Sequence, residues 1–265
     1  MSAAHCFSHT DHGEGVIAVT APMGEQMYLV LGSERAALID TGMGVGSLRD
    51  YVSGLTSLPL TVINTHGHPD HAGGNSEFDL CYLHPADHKW FLSMCHARYR
   101  QEDIRKICTH NQQEYLNALL PDGPIPLPVV DGAQIDLGKR SLLISLTPGH
   151  TPGSICVYDN TTRSLFAGDM LSGQSVWLYD EYSESLQTYY HTLAQIQKDF
   201  AGARCCYIGH QPGRLDFSAV RSTQICVRRI LMHDAKGTFV KTFAGEGLRY
   251  SYGDSSIIYN PERLF

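Results

Sequence analysis

The sequence predicts an α/β fold, and three observations carry that prediction. Short apolar strands alternate with stretches of helical periodicity, glycine and proline punctuate most changes between them, and 43% of the 265 residues are hydrophobic against 18% charged. That composition supports a substantial core and excludes a disordered chain. The length allows one or two domains, and we read residues 1–265 as a single one.

The elements follow in order. VIAV (16–19), MYLVLG (27–32) and AALIDTG (36–42) read as strands separated by glycine-containing turns, then a helix near 45–55, then the strand TVIN (61–64). After CYLH (81–84) the pattern changes: about 86–120 carries helical spacing with little β-branching, including Trp90, Phe91, Met94 and Tyr99, and forms a helical insertion. PDGPIPLP (121–128) is an extended connection stiffened by proline. Strands return at LLISL (142–146), ICVY (155–158), SLFAG (164–168) and CYIG (206–209). Leu186, Tyr189, Tyr190, Leu193, Ile196 and Phe200 share one helical face, with Ser183 as the expected cap and Glu184 in the first turn, and 216–232 is a second helix. The tail, about 237–265, reads as a short extension of small closing strands.

Charge and targeting signals narrow the setting. A net charge of -7 disfavours nucleic acid and anionic membranes as partners, and Arg98, Arg100, Arg105 and Lys106 read as a solvated helix face. No apolar run is long enough to span a membrane, and the polar start MSAAHCFSHTDHGEG lacks the order of a secretory signal. The eight cysteines form no CxxC pair, which suits a reducing compartment, so the expected location is cytoplasmic.

Histidine is the unusual residue. There are 14, and three of them stand with an aspartate in Thr65-His66-Gly67-His68-Pro69-Asp70-His71, directly after the strand TVIN. His66 and His68, two apart, project to one side of an extended segment, while Asp70 and His71 lie beyond turn-forming residues, so one segment can feed two adjacent metal ions. Three later strands repeat a simpler pattern, a glycine and then a ligand type: Gly149-His150, Gly168-Asp169 and Gly209-His210. Five imidazoles and two carboxylates without a thiolate suit zinc or another first-row divalent ion and hydrolytic chemistry. His5, His9 and His12 read as a flexible arm, and His84 as a residue near the rim.

With THGHPDH (65–71), PGHTPG (148–153), AGD (167–169) and GH (209–210) in this order, the sequence resembles the metallo-β-lactamase superfamily of metallohydrolases, from about residue 16 to 210. The resemblance implies a four-layer αββα sandwich with metals at one edge between the sheets. It implies a first metal site of His66, His68 and His150, a second of Asp70, His71 and His210, and Asp169 bridging them. It also implies that Asp40, in the turn Asp40-Thr41-Gly42, orients a ligand, and that Asp70 doubles as a proton acceptor. Two divalent ions, zinc first with iron or manganese as alternatives, would generate a bridging hydroxide and polarise the bond attacked. No GxSxG and no clustered cysteine proposes a protein nucleophile.

The expected activity is therefore hydrolysis of an ester, thioester or lactone of a small acyl substrate. An iron-dependent sulfur or persulfide dioxygenase and a phosphodiesterase are the alternatives. Asp169 argues against an antibiotic lactam, since relatives that cleave one place a cysteine there or lack the bridging aspartate. The 55 residues after His210 look partly β, unlike the helical glutathione-contacting domain of the hydroxyacylglutathione thioesterases, so glutathione thioesters are not specifically expected. Tyr179 and Tyr182 are candidates for the substrate-contacting tyrosine of the lactonase branch. The insertion is either a lid with an acyl-binding face, or an ordinary hydrophobic helix face or homodimer contact.

Overall fold

A computed structural model describes residues 7–265, and its architecture follows from strands whose two faces are both covered. The first sheet has seven strands in sequence order: β1 (Ser8–Asp11), β2 (Val16–Thr20), β3 (Gln26–Leu31), β4 (Ala36–Ile39), β5 (Leu60–Ile63), β6 (Cys81–Leu83) and β7 (Leu127–Pro128). It is antiparallel as far as β4 and parallel from there to β7. The second sheet is built from β8 (Gln134–Asp136), β9 (Ser141–Leu146), β10 (Ile155–Asp159), β11 (Ser164–Phe166), β13 (Cys205–Tyr207) and β14 (Arg214–Asp216), in the order β14-β13-β11-β10-β9-β8.

Side-chain alternation makes the layers. On β3, Tyr28 and Val30 face the second sheet, where they meet Ile144, Ile155, Val157 and Phe166; Met27 and Leu29 face outward onto Leu48 and Val52 of α1 (Leu48–Ser53). On β10 and β13, Cys156 and Cys206 point the other way, against α6 (Leu186–Asp199) and α7 (Ser218–Leu231). Helix, sheet, sheet and helix are thus stacked as expected, and continuous apolar runs such as AALI occur because neither face is wet.

A third sheet, in the order β12-β17-β16-β15, packs beside α7. It joins β12 (Val176–Leu178) to β15 (Thr238–Lys241), β16 (Glu246–Tyr252) and β17 (Ser255–Tyr259), so the tail at 237–259 pairs with a strand just after Asp169. Among the described residues no helix is long and apolar enough to cross a membrane, and the cysteines are free thiols.

Several sequence expectations need correction. The helical stretch is three helices, α3 (His88–Met94), α4 (Ala97–Ile107) and α5 (Gln112–Asn117), because the His96 side chain accepts from the Tyr99 N–H and starts α4 afresh. Arg100 is not on a solvated face. It is fully buried, and its guanidinium donates to the carbonyls of Cys95, Met43, Leu120 and Pro121, tying the α3–α4 junction and the far end of the insertion to the loop after β4. Ser185, not Ser183, caps α6 by accepting from the Thr188 N–H, which leaves Glu184 outside the helix. His9 lies on β1, with its Nδ1 2.8 Å from the Tyr51 hydroxyl, and His12 packs on Tyr207, so neither belongs to a flexible arm. His5 lies outside the described residues. Strands β1, β8, β12 and β14 had no counterpart in the sequence reading, being short or largely exposed.

Candidate metal centre

The site forms where strands of both sheets end on the same edge. β5 runs into His66-Gly67-His68, and the following α2 (Pro69–Ala72), opened by a proline at its first position, carries Asp70 and His71. Across the sandwich, the Ile155 N–H donates to the Thr65 carbonyl at 2.8 Å and the Gln26 N–H to the Gly209 carbonyl at 2.8 Å, so the two sheets are bonded together at the site itself. From outside, α6 holds two ligand-bearing loops: the Tyr189 hydroxyl donates to the Met170 carbonyl at 2.6 Å, and Thr192 Oγ1 to the Pro148 carbonyl at 2.7 Å.

The glycines before the ligands provide clearance. A Cβ on Gly209 would collide with Asp169 Oδ1 and lie 2.5 Å from the His71 ring; one on Gly168, which also has φ of +48°, would lie 2.5 Å from Thr65 Oγ1. Any larger residue would push the ligand side chains apart.

All seven residues expected as ligands come together. Three groups have ligand atoms within 4.8 Å of one another: His66, His68 and His150; His66, His71 and Asp169; and Asp70, His71 and His210. His66 Nε2 and His150 Nε2 lie 3.0 and 2.9 Å from His68 Nδ1. Asp169 stands between the groups, with Oδ2 3.0 Å from His210 Nε2 and 3.7 Å from His150 Nε2, and Oδ1 3.3 Å from His71 Nε2.

The protons on these rings are assigned by their outer partners. His150 Nδ1 is 2.8 Å from the Trp177 carbonyl and His71 Nδ1 is 2.8 Å from Asp40 Oδ2, acceptors that require an N–H on the ring. The Thr65 hydroxyl gives its one proton to Asp40 Oδ2, so it accepts from His66 Nδ1 at 3.1 Å. In their neutral forms His66, His71 and His150 therefore each present an Nε2 lone pair inward, and buried His71 Nε2 has no hydrogen-bond partner. Burial, reinforced by neighbouring histidines, lowers the pKa of His66 and takes His68 to about 3, keeping both neutral. Burial opposes charge on His71 too, but Asp169, Asp40 and Asp70 outweigh it and raise its pKa. Imidazole nitrogens converging beside Asp70 and Asp169 are the ligand types of a divalent cation, which fits this donor set and would replace protons as the partner of the two carboxylates.

Asp40 acts behind His71. Its backbone is left-handed, with φ of +65°, which costs a non-glycine residue roughly 1–2 kcal/mol. The carboxylate offsets that by also accepting from the Thr65 N–H at 2.7 Å.

Asp87 is the functional residue that the sequence reading missed. It is fully buried, and its carboxylate accepts from the Gly67 N–H at 2.9 Å, Thr151 Oγ1 and the Gly153 N–H at 2.6 Å each. It thus joins the loop bearing His66 and His68 to the loop bearing His150. A Cβ on Gly153 would lie 2.6 Å from its Oδ1, the structural reason for the second glycine of PGHTPG.

Of the two candidate tyrosines, only Tyr182 reaches the centre. Its ring meets His68 edge-on at 4.6 Å and Trp90 at 5.4 Å. Tyr179 is buried under the third sheet, with its hydroxyl 2.6 Å from Thr242 Oγ1, and is withdrawn as a site residue. We expect Tyr179→Phe to leave kcat/KM within about twofold and to cost about 1 kcal/mol in stability. Tyr182→Phe is expected to lower kcat/KM about tenfold, as steady-state kinetics on the two variants will check.

A cavity of about 580 Å³ opens over the ligands. Met94 of α3 and Tyr99, Asp103, Lys106 and Ile107 of α4 form one wall, and Leu171, Val176, Trp177 and Phe243 form much of the other. The insertion therefore lines the cleft. His84 lies outside that lining and caps a 3-10 turn instead.

The family profile described as the metallo-beta-lactamase superfamily matches residues 21–210. This chain belongs to that superfamily. It is 31% identical over 218 residues to acyl-coenzyme A thioesterase MBLAC2 of Bos taurus, covering 71% of this chain and 76% of that protein, and 30% identical to its Homo sapiens counterpart with the same coverage. A metallo-beta-lactamase from Pontibacter korlensis superposes with a TM-score of 0.65 at 16% identity, over 84% of this chain and 99% of that one. A metallo-beta-lactamase family protein from Thermus thermophilus does so with 0.57 at 22% identity, over 87% and 83%. These two structures support the superfamily fold.

Proposed function

We propose that this metallo-β-lactamase superfamily member is a dinuclear metal-dependent hydrolase that cleaves the thioester of an apolar acyl group on a small thiol carrier, coenzyme A being the carrier named for its relatives. The observation that carries the metal dependence is the gathering of seven side chains of ligand type, with the Nε2 atoms of His71, His150 and His210 around the Asp169 carboxylate. His66, His68 and His150 would hold one ion, Asp70, His71 and His210 the other, and Asp169 both. Such ions supply an activated water and polarise the carbonyl attacked.

The chain's own groups do the rest. Asp40 fixes the His71 tautomer, Asp87 keeps the two ligand loops at one spacing, and Tyr182 covers His68. Asp70, 3.3 Å from His210 Nε2, would take the proton lost by the attacking water and return it to the departing thiolate as the tetrahedral intermediate collapses. Met94, Ile107, Trp177 and Phe243 offer an acyl chain apolar surface while excluding bulk water.

The test is a panel of acyl thioesters, lactones, β-lactams and phosphodiesters, offered to protein loaded separately with zinc, manganese or iron. Thioesters are expected to turn over fastest. Faster phosphodiester cleavage, or oxygen uptake with a thiol substrate when iron is bound, overturns the reading.

A further inference from the structure

We infer that Arg263, outside the ligand cluster, is a positioning residue that sets the Tyr182 wall of the cavity and thereby how tightly substrate is held. The inference rests on the proposed thioester reading for its choice of substrate and on geometry for the rest.

Residues 180–182 line the cavity but belong to no regular element, since β12 ends at Leu178 and α6 begins at Leu186. Within the loop the Ser183 N–H donates to the Asp180 carbonyl at 3.1 Å, and the rest of its polar backbone must be satisfied from elsewhere. Arg263 Nη1 donates to the carbonyls of Asp180 at 2.8 Å and Glu181 at 2.7 Å, the two residues that precede Tyr182. Beyond the tyrosine, the Leu186 N–H donates to the Arg263 carbonyl at 3.1 Å and the Gln187 N–H to that of Leu264 at 2.9 Å. Two consecutive residues therefore grip the loop on both sides. Between these grips, the Glu184 N–H donates to the Gly149 carbonyl at 2.8 Å, next to His150.

The grip is itself anchored. The Arg263 N–H donates to the Asn260 carbonyl at 3.1 Å, and Leu264 packs on the core beneath α6 and α7. A planar guanidinium on a fixed backbone holds two acceptors in one geometry, which a flexible ammonium does less well. Movement of the loop would carry the Tyr182 ring off His68 and Trp90 and widen the cavity.

Steady-state kinetics on Arg263→Ala, with an acyl thioester that the wild type cleaves, are expected to show KM raised about five- to tenfold and kcat within about twofold. Metal content stays at the wild-type level. Arg263→Lys restores part of the loss. In a Tyr182→Ala background, Arg263→Ala raises KM no further, because the arginine acts through that side chain. A wild-type KM in Arg263→Ala, or an equal rise without Tyr182, overturns the proposal. Hydrogen exchange reads the clamp without substrate: amides 183–187 exchange faster in Arg263→Ala, while those of β10 do not. Unchanged exchange at 183–187 overturns the clamp even if the substrate is not a thioester.

Discussion

Asp169→Ala protein is expected to bind less metal and to lose hydrolysis by more than the ~10–100-fold typical of removing an outer partner of a metal site. Its carboxylate lies within 3.7 Å of His71, His150 and His210, so its removal takes the anionic partner from three imidazoles at once. Burial opposes its charge, yet His210 and His71 hold its pKa well below the ordinary carboxylate value. Elemental analysis of the purified variant and turnover under saturating metal are the measurements. His9→Ala, altered on exposed β1, is the control expected to match the wild type in both. Near wild-type turnover by Asp169→Ala would overturn the site assignment.

Asp87→Ala is expected to lower stability and metal affinity together, although Asp87 lies in none of the three ligand groups. The Gly67 N–H, the Gly153 N–H and the Thr151 hydroxyl lose their common acceptor in a buried place, at about 1–3 kcal/mol for each donor left unsatisfied. A loss of about 3 kcal/mol lowers Tm by roughly 6–12 °C in a chain of this size. The two loops also lose their spacer, which is expected to weaken metal binding about 10–100-fold. Asp87→Asn should recover only part of this, because its amide nitrogen would face a donor where a carboxylate oxygen accepts. Thermal unfolding with and without chelator, beside a metal titration, measures both effects. Wild-type metal affinity in Asp87→Ala would remove its spacing role.

The contrast between Asp169 and Asp87 explains how much was legible in advance. His66 to His71 and the three glycine-ligand pairs were readable because an apolar strand, a glycine and a ligand type are consecutive in sequence, and the sheet then fixes where the ligand goes. Asp87 has no such local mark. Its partners are 20 to 66 residues away, and HPADHKW reads as an ordinary helix start. Arg100 was misplaced for the related reason that three neighbouring cations suggested a wet face, whereas its four carbonyl acceptors come from three separate segments. Tyr179 and Tyr182 lie three residues apart around the end of β12, a strand too short to show periodicity, so sequence could not tell which one turns inward.

The main-chain bonds that stitch the two sheets together at the centre also bear on how the protein persists. Ligands at 66–71, 150, 169 and 210 meet only after both sheets have closed, so a cation rewards a late, high-contact-order arrangement and none before it. Bound at a hundred times its Kd to the native state alone, it adds about 2.7 kcal/mol. That gain belongs mainly to the unfolding barrier, since interactions absent from the transition state slow unfolding while leaving folding unchanged. Metal supply would then govern the lifetime of the folded chain as well as its turnover.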